Sequence, residues 1–183
     1  VIQPNSFLIS EDFITKLTQE FKTISLSKSF FGEGIILSKN NAKGVILKGV
    51  DKSEKKIIEF FKNYISAGNF KNFDTNKVLI GSEMAFNLNL KIGDTLNLMS
   101  SAFVSTPLGS LPKQENFKVV GIFNTGFLEF DQNVVFLTVA DALSIFNKGE
   151  EDINIEIYLK DPLEANKYKE KIQKINQNYF IYT

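Results

Sequence analysis

Apolar and polar positions along this chain follow two rhythms, and the switches between them mark out its elements. Near the start, Phe13, Leu17 and Phe21 recur every four residues beside Ile14, behind a Ser10 that can cap a helix carrying Glu11 and Asp12 in its first turn. Two strands are expected next, over 23–30 and 34–38, with Gly32-Glu33-Gly34 as the turn between them; the polar turn Lys39-Asn40-Asn41 follows. GVILKGV, 44–50, is apolar enough for a central strand. Asp51 and Glu54 form a capping box that opens a helix to about Ile65, with Ile57, Ile58, Phe61, Tyr64 and Ile65 inward and Lys52, Lys55, Lys56 and Lys62 on the solvated side.

A polar connection covers 67–76, and a strand-rich stretch follows. Val78 to Ile80 reads as a strand, Ser82 as the cap of a short helix with Met84, Ala85 and Leu88 on one side, and Gly93-Asp94 as a tight turn. Strands are expected over 95–99 and 116–123, a turn-rich excursion over 123–131 and a strand over 134–137. Thr138 and Asp141 cap a helix presenting Val139, Ala142, Leu143 and Phe146. The run INIEIYL, 153–159, alternates as a half-buried strand does; Asp161-Pro162 opens a last helix with Tyr168, Ile172 and Ile175 inward, and 178–183 forms a final strand. This order predicts an α+β fold of two subdomains, one built from both chain ends (1–76 and 150–183) and one mostly β and inserted between them (77–149).

Between the strands 95–99 and 116–123 lies 100–115, too long for an ordinary hairpin loop and holding Pro107, Gly109 and Pro112. Ala102, Phe103, Val104, Leu108 and Leu111 are apolar where prolines and glycine oppose a long regular strand. Either the segment folds back and buries these side chains in its own subdomain, or it projects as a hairpin whose apolar tip a partner covers.

Composition narrows the chemistry. The 183 residues suffice for a substantial core, and 21 basic residues balance 21 acidic ones. Every basic residue is lysine, so arginine's bidentate contacts to phosphate and guanine are missing and nucleic acid is not an expected partner. Without histidine or cysteine there is no imidazole base, thiol nucleophile, ordinary zinc site or disulfide. Gly81-Ser82 lacks the frame of a hydrolase elbow, and the acidic trio Glu150, Glu151 and Asp152 reads as a solvated turn. No cofactor, metal site or enzymatic activity is expected. No apolar run reaches the ~20 residues that span a bilayer. A first residue Val1 and an aromatic end, YFIYT, suggest a portion excised from a longer protein.

The residues VLIGSEMAFNLNLKIGDTLNLMS, then FKVVGIF, then VVFLTVADALSIF, resemble the MacB-like periplasmic core domain of type VII ABC transporters, over nearly the whole chain. TPLGSLPKQENF, Thr106 to Phe117, is similar to the hook-bearing hairpin of LolC/LolF-type subunits of lipoprotein-releasing systems. The resemblance implies a porter-like subdomain from the chain ends and an inserted Sabre-like one. It also implies a place on the periplasmic side of the inner membrane between two membrane helices, a second membrane subunit in a homo- or heterodimer, a cytoplasmic ATPase on another chain, and lipoprotein cargo. The hook would recruit the periplasmic carrier LolA through Ser101, Ala102, Phe103, Val104, Ser105, Thr106, Pro107, Leu108, Gly109, Ser110, Leu111 and Pro112, with Pro107 at its tip. The family's adjoining polar pad maps to Asn97, Gln114 and Glu115; only Gln114 keeps the expected type, and Lys113 offers a neighbouring cation. A LolE-like or MacB-like role, touching lipoprotein or an efflux adaptor without the carrier, is the alternative.

Overall fold

The computed structural model describes residues 1–4, 9–21, 24–38, 41–107, 109–176 and 179–183. They form, in chain order, β1 (Ile2–Gln3), α1 (Glu11–Glu20), β2 (Ser25–Ser38), β3 (Asn41–Val50), α2 (Lys55–Tyr64), β4 (Ile65–Gly68), β5 (Lys77–Gly81), α3 (Ser82–Asn87), β6 (Thr95–Thr106) and β7 (Gly109–Phe123), then α4 (Leu128–Asn133), β8 (Val134–Thr138), α5 (Val139–Phe146), β9 (Asn154–Tyr158), α6 (Ala165–Ile175) and β10 (Phe180–Ile181). The fold is mixed α and β, in two compact units, Val1–Ser29 with Gly149–Thr183 and Phe30–Lys148. No described helix is long and apolar enough to cross a membrane.

In the unit made of both chain ends, the strand order is β10-β1-β9-β2. Ser10 caps α1 as its sequence predicts, accepting a hydrogen bond from the Phe13 amide, and α1 sends Phe13 and Leu17 inward against Ile155, Ile172 and Ile181. The first and last strands pair antiparallel, and the Val1 amino group donates to the Tyr182 carbonyl at 2.7 Å.

The second unit is built on strands whose order β2-β3-β8-β5-β7 is closed by β6, which pairs with both β7 and β2. A ring of this kind leaves few free edges. Its interior holds Ile36, Leu47, Ile80, Leu98, Phe117 and Val135 together with Met84 of α3 and Ile145 of α5. On the outside, α2 covers part of the ring with an aromatic cluster: the Phe61 ring lies 4.9 Å from those of Phe70 and Phe136.

Several sequence expectations change here. The turn expected at Gly32-Glu33-Gly34 is strand, because the two glycines make room for neighbours: a Cβ at Gly32 would meet the Phe146 ring at 2.3 Å, and one at Gly34 the Leu47 side chain at 2.9 Å. The polar connection 67–76 is no linker. Ala67 and Gly68 pair with β7, and Phe70 and Phe73 join the aromatic cluster. Residues 30–76 therefore fold with the inserted unit, which begins at Phe30 where the sequence places its start at 77. Gly81, not Ser82, is the N-cap of α3, and the buried Ser82 hydroxyl makes no hydrogen bond. Helix α2 starts at Lys55; Asp51 instead accepts from the Ser53 amide and hydroxyl just ahead of it. Ile58 and Tyr64, expected inward on α2, lie on its exposed side. The expected turn residues Lys39 and Asn40 lie outside the described residues.

Candidate functional site

The segment 100–115 is neither a loop nor collapsed. Strand β6 continues to Thr106, β7 begins at Gly109, and the two stay paired from Thr95↔Lys118 to Thr106↔Gly109. Pairing to the ring stops lower down, at Gly34↔Ser100 on β6 and Lys77↔Lys118 on β7. Above that level the hairpin is a two-stranded ribbon. The prolines are compatible with strand for that reason: Pro107 sits in the tip connection, and Pro112 lies where β7 has a partner on one side only.

At the root the register slips. Ser100, Ala102 and the residue between them face Lys113 alone, and this irregularity is pinned to the end of α5. Ser100 is buried, donates its hydroxyl to the Ile145 carbonyl at 2.5 Å and accepts from the Ala102 amide. Lys113 Nζ reaches the Ser144 carbonyl, and Glu115 accepts from the Ser144 hydroxyl while lying 3.3 Å from the Lys113 ammonium. Both strands of the hairpin are thus fastened to consecutive carbonyls of one helix end.

At the other end, Thr106 donates its hydroxyl to the Gly109 carbonyl at 2.7 Å, and Gly109 has φ +115, a value L side chains rarely adopt. Between root and tip, cross-strand partners share a face: Phe103 with Pro112, and on the opposite face Val104 with Leu111. Phe103 is 62 % exposed, Leu111 52 % and Val104 41 %. A two-stranded ribbon apolar on both faces cannot bury both against its own body. Ser101, Ser105, Pro107, Gly109 and Ser110 are also exposed; Ala102, Thr106 and Pro112 are half-buried, and Leu108 lies outside the described residues.

The three pad positions and the neighbouring Lys113 do not form one surface. Asn97 and Gln114 stand on the outside of the ring, in the cross-strand rows Leu37–Asn97–Asn116 and Ile35–Met99–Gln114. Asn97 donates to Asn116 at 3.0 Å, and the Gln114 amide nitrogen lies 3.7 Å from the Met99 sulfur. Glu115 is paired with the inward Leu98, so it faces α5, where it and Lys113 offset each other's charge. Sequence reasoning missed the apolar residues flanking the outward pair, Ile35, Ile46 and Met99; 34–37 and 44–47 read GIIL and GVIL, apolar at every position after the glycine, so no alternation marks which side chains face out.

The family model described as the MacB-like periplasmic core domain matches residues 3–175. The chain is 23 % identical over 135 residues to the lipoprotein-releasing system transmembrane protein LolC of Neisseria meningitidis, a match covering 73 % of this chain and 32 % of that protein. The chain spans less than half the length of the curated LolC relatives it matches. Its fold is that of the extracellular domain of the noncanonic ABC-type transporter YknZ from Gram-positive bacteria, with a TM-score of 0.59 at 12 % identity over 98 % of this chain and 91 % of that one. The periplasmic region of MacB from Actinobacillus actinomycetemcomitans gives 0.57 at 14 % identity, over 98 % and 79 %.

Proposed function

Because the chain belongs to the MacB-like periplasmic core domain family, we propose that it is the periplasmic domain of a LolC-like ABC transporter permease in the inner membrane, and that its hairpin recruits a LolA-like lipoprotein carrier. One observation carries this reading: Phe103, Val104 and Leu111 stand exposed on both faces of a ribbon that is braced at root and tip. Such a ribbon suits a partner that encloses it, offering an apolar cavity to both faces and a polar rim to its serines. Bracing reduces the ordering cost of docking. A collapsed segment would have favoured the LolE-like or MacB-like alternative. On this reading the domain does no chemistry: ATP is hydrolysed by a cytoplasmic subunit, a second membrane subunit completes the pair, and lipoprotein is the cargo.

Magnitudes set the limits of the hairpin. Burying the exposed parts of these three side chains contributes roughly 3–5 kcal/mol. A micromolar complex needs about 8 kcal/mol net of the cost of association. The carrier must therefore touch more than the three anchors.

The test is carrier capture by the intact permease complex. Phe103→Ser, Leu111→Ser and removal of 101–112 are expected to abolish it and Pro107→Ala to weaken it. Retention equal to the parent in the first three would refute the assignment.

A further inference from the structure

In the unit made of both chain ends, Ala165, Tyr168, Lys169 and Ile172 fall at i, i+3, i+4 and i+7 of α6 and share one face. Ile172 is buried in the core of that unit, and the Tyr168 ring is fixed against Phe21 with centroids 5.4 Å apart. Nearer the start of the helix the small Ala165 covers little of the sheet, and a cleft of about 370 Å³ opens there, lined by Ile157, Leu159, Pro162, Ala165, Ile172 and Ile181 beside Tyr168. Few polar side-chain groups face it. The Tyr158 hydroxyl is given to Glu156, and Tyr182 and Thr183 are exposed. The one charged side chain in the lining is Lys169, half-buried and without an ion pair among the described residues; the carboxylate at the head of the helix, Glu164, is held by Lys167 at 2.7 Å. In the turn that leads into α6, Leu163 follows Pro162 and is 92 % exposed.

We propose that this cleft holds one alkyl chain of an anionic amphiphile, a fatty acid or an acidic phospholipid, with the charged head at Lys169. A slot whose side chains offer so few donors and acceptors penalises a peptide, a sugar or a nucleotide, since each would leave polar groups without partners in it. An alkyl chain has none to lose. Lysine lays its methylene stem along an apolar wall and keeps its ammonium at the wet rim, so Lys169 extends the apolar lining and also supplies the charge that decides which end of the ligand stays outside. A single lysine serves a carboxylate or a phosphate equally, as a point charge and not as a fork. The volume lies near the lower end of small-ligand sites, which suits one slim chain and excludes a bulky ring system. Leu163 adds apolar surface to the turn that carries Pro162, where the rest of a longer chain, or a second one, can lie. The cleft belongs to a different unit from the hairpin, and its occupancy is independent of carrier recruitment.

The experiment exposes membranes carrying the intact permease to two photoreactive probes, a fatty acid and a phosphatidylglycerol with a diazirine in the alkyl chain, and to the matching fatty alcohol as an uncharged control. Label from at least one anionic probe is expected on peptides from 157–172 and 181–183, and the probe that labels identifies the source. The alcohol should label about threefold less, the worth of one partly exposed charge contact. Ala165→Trp fills the cleft and should nearly abolish labelling there. Lys169→Gln should reduce labelling by the anionic probe about threefold and leave the alcohol's unchanged, and it keeps the test decisive if thermal melts show that Ala165→Trp perturbs folding. Leu111→Ser should change none of these readings. Absence of label on these peptides from both anionic probes overturns the proposal, as does equal labelling by the alcohol or parent-like labelling of Lys169→Gln.

Discussion

Lys113 Nζ donates to the Ser144 carbonyl at 2.6 Å, joining the root of the hairpin to the last turn of α5, a turn with no basic residue of its own. A lysine from another element supplies the positive charge that a helix C-terminus favours. Lys113→Ala should lower stability by about 1 kcal/mol. Its specific signature is faster amide exchange in 101–112, measured by hydrogen–deuterium exchange, with the core of the ring unaffected. Exchange unchanged in the hairpin would count against the brace.

Ser100 is the matching brace on the other strand. Ser100→Ala removes the donor to the Ile145 carbonyl and the acceptor for the Ala102 amide inside a buried site, and should cost about 1–3 kcal/mol in chemical denaturation. Combined with Lys113→Ala, the loss should depart from additivity, since both act on one helix end.

The hairpin anchors should behave in the opposite way. Phe103→Ser and Leu111→Ser remove exposed apolar groups, so the folding free energy should change by no more than about 0.5 kcal/mol while carrier capture disappears. Phe61→Ala supplies the contrast. This side chain is fully buried among aromatic rings, and its truncation should cost about 3–5 kcal/mol.

Asp141 gives a prediction in pH. Burial pushes its carboxyl above the ordinary value of 3.8, against the lowering effect of hydrogen bonds from Thr138 and the Asn76 amide. The folded chain then holds this proton at pH values where the unfolded chain has released it, so stability falls as pH rises from 3.8 through the folded value. Asp141→Asn keeps an oxygen for the Asn76 amide and removes the ionisation. Its stability should be flatter than the parent's across that window, as measured by thermal melts at graded pH.

Local rules made much of this fold legible. The caps at Ser10 and Thr138 form as their sequence signatures require, and the alternation of INIEIYL gives β9. What misleads are residues whose usual meaning is overridden by packing. Gly32 and Gly34 suggest a turn, yet serve as gaps for Phe146 and Leu47. Pro112 argues against strand, yet tertiary position leaves its segment of β7 one-sided. The polarity of 67–76 hides Phe70 and Phe73, whose rings pack against each other and against Phe61 of α2 in a cluster that Phe123 and Phe136 bring in from β7 and β8. At the candidate site, the exposed Phe103, Val104 and Leu111 could be picked out from the chain alone. The separation of Gln114 from Glu115 onto opposite faces could not, because it depends on 100–115 being strand and not loop.

Strand β7 runs unbroken from the hairpin tip at Gly109 to Phe123, where its side chain is fully buried among aromatic rings. A load applied at the tip along the strand is thus carried in shear by the ladder to β5, which shifts register once, between Val119 and Gly121. Whatever grips the hairpin therefore pulls on the second unit through β7, and the bulge at Val120 is the one place along that ladder where the pull can be taken up before it reaches the aromatic cluster.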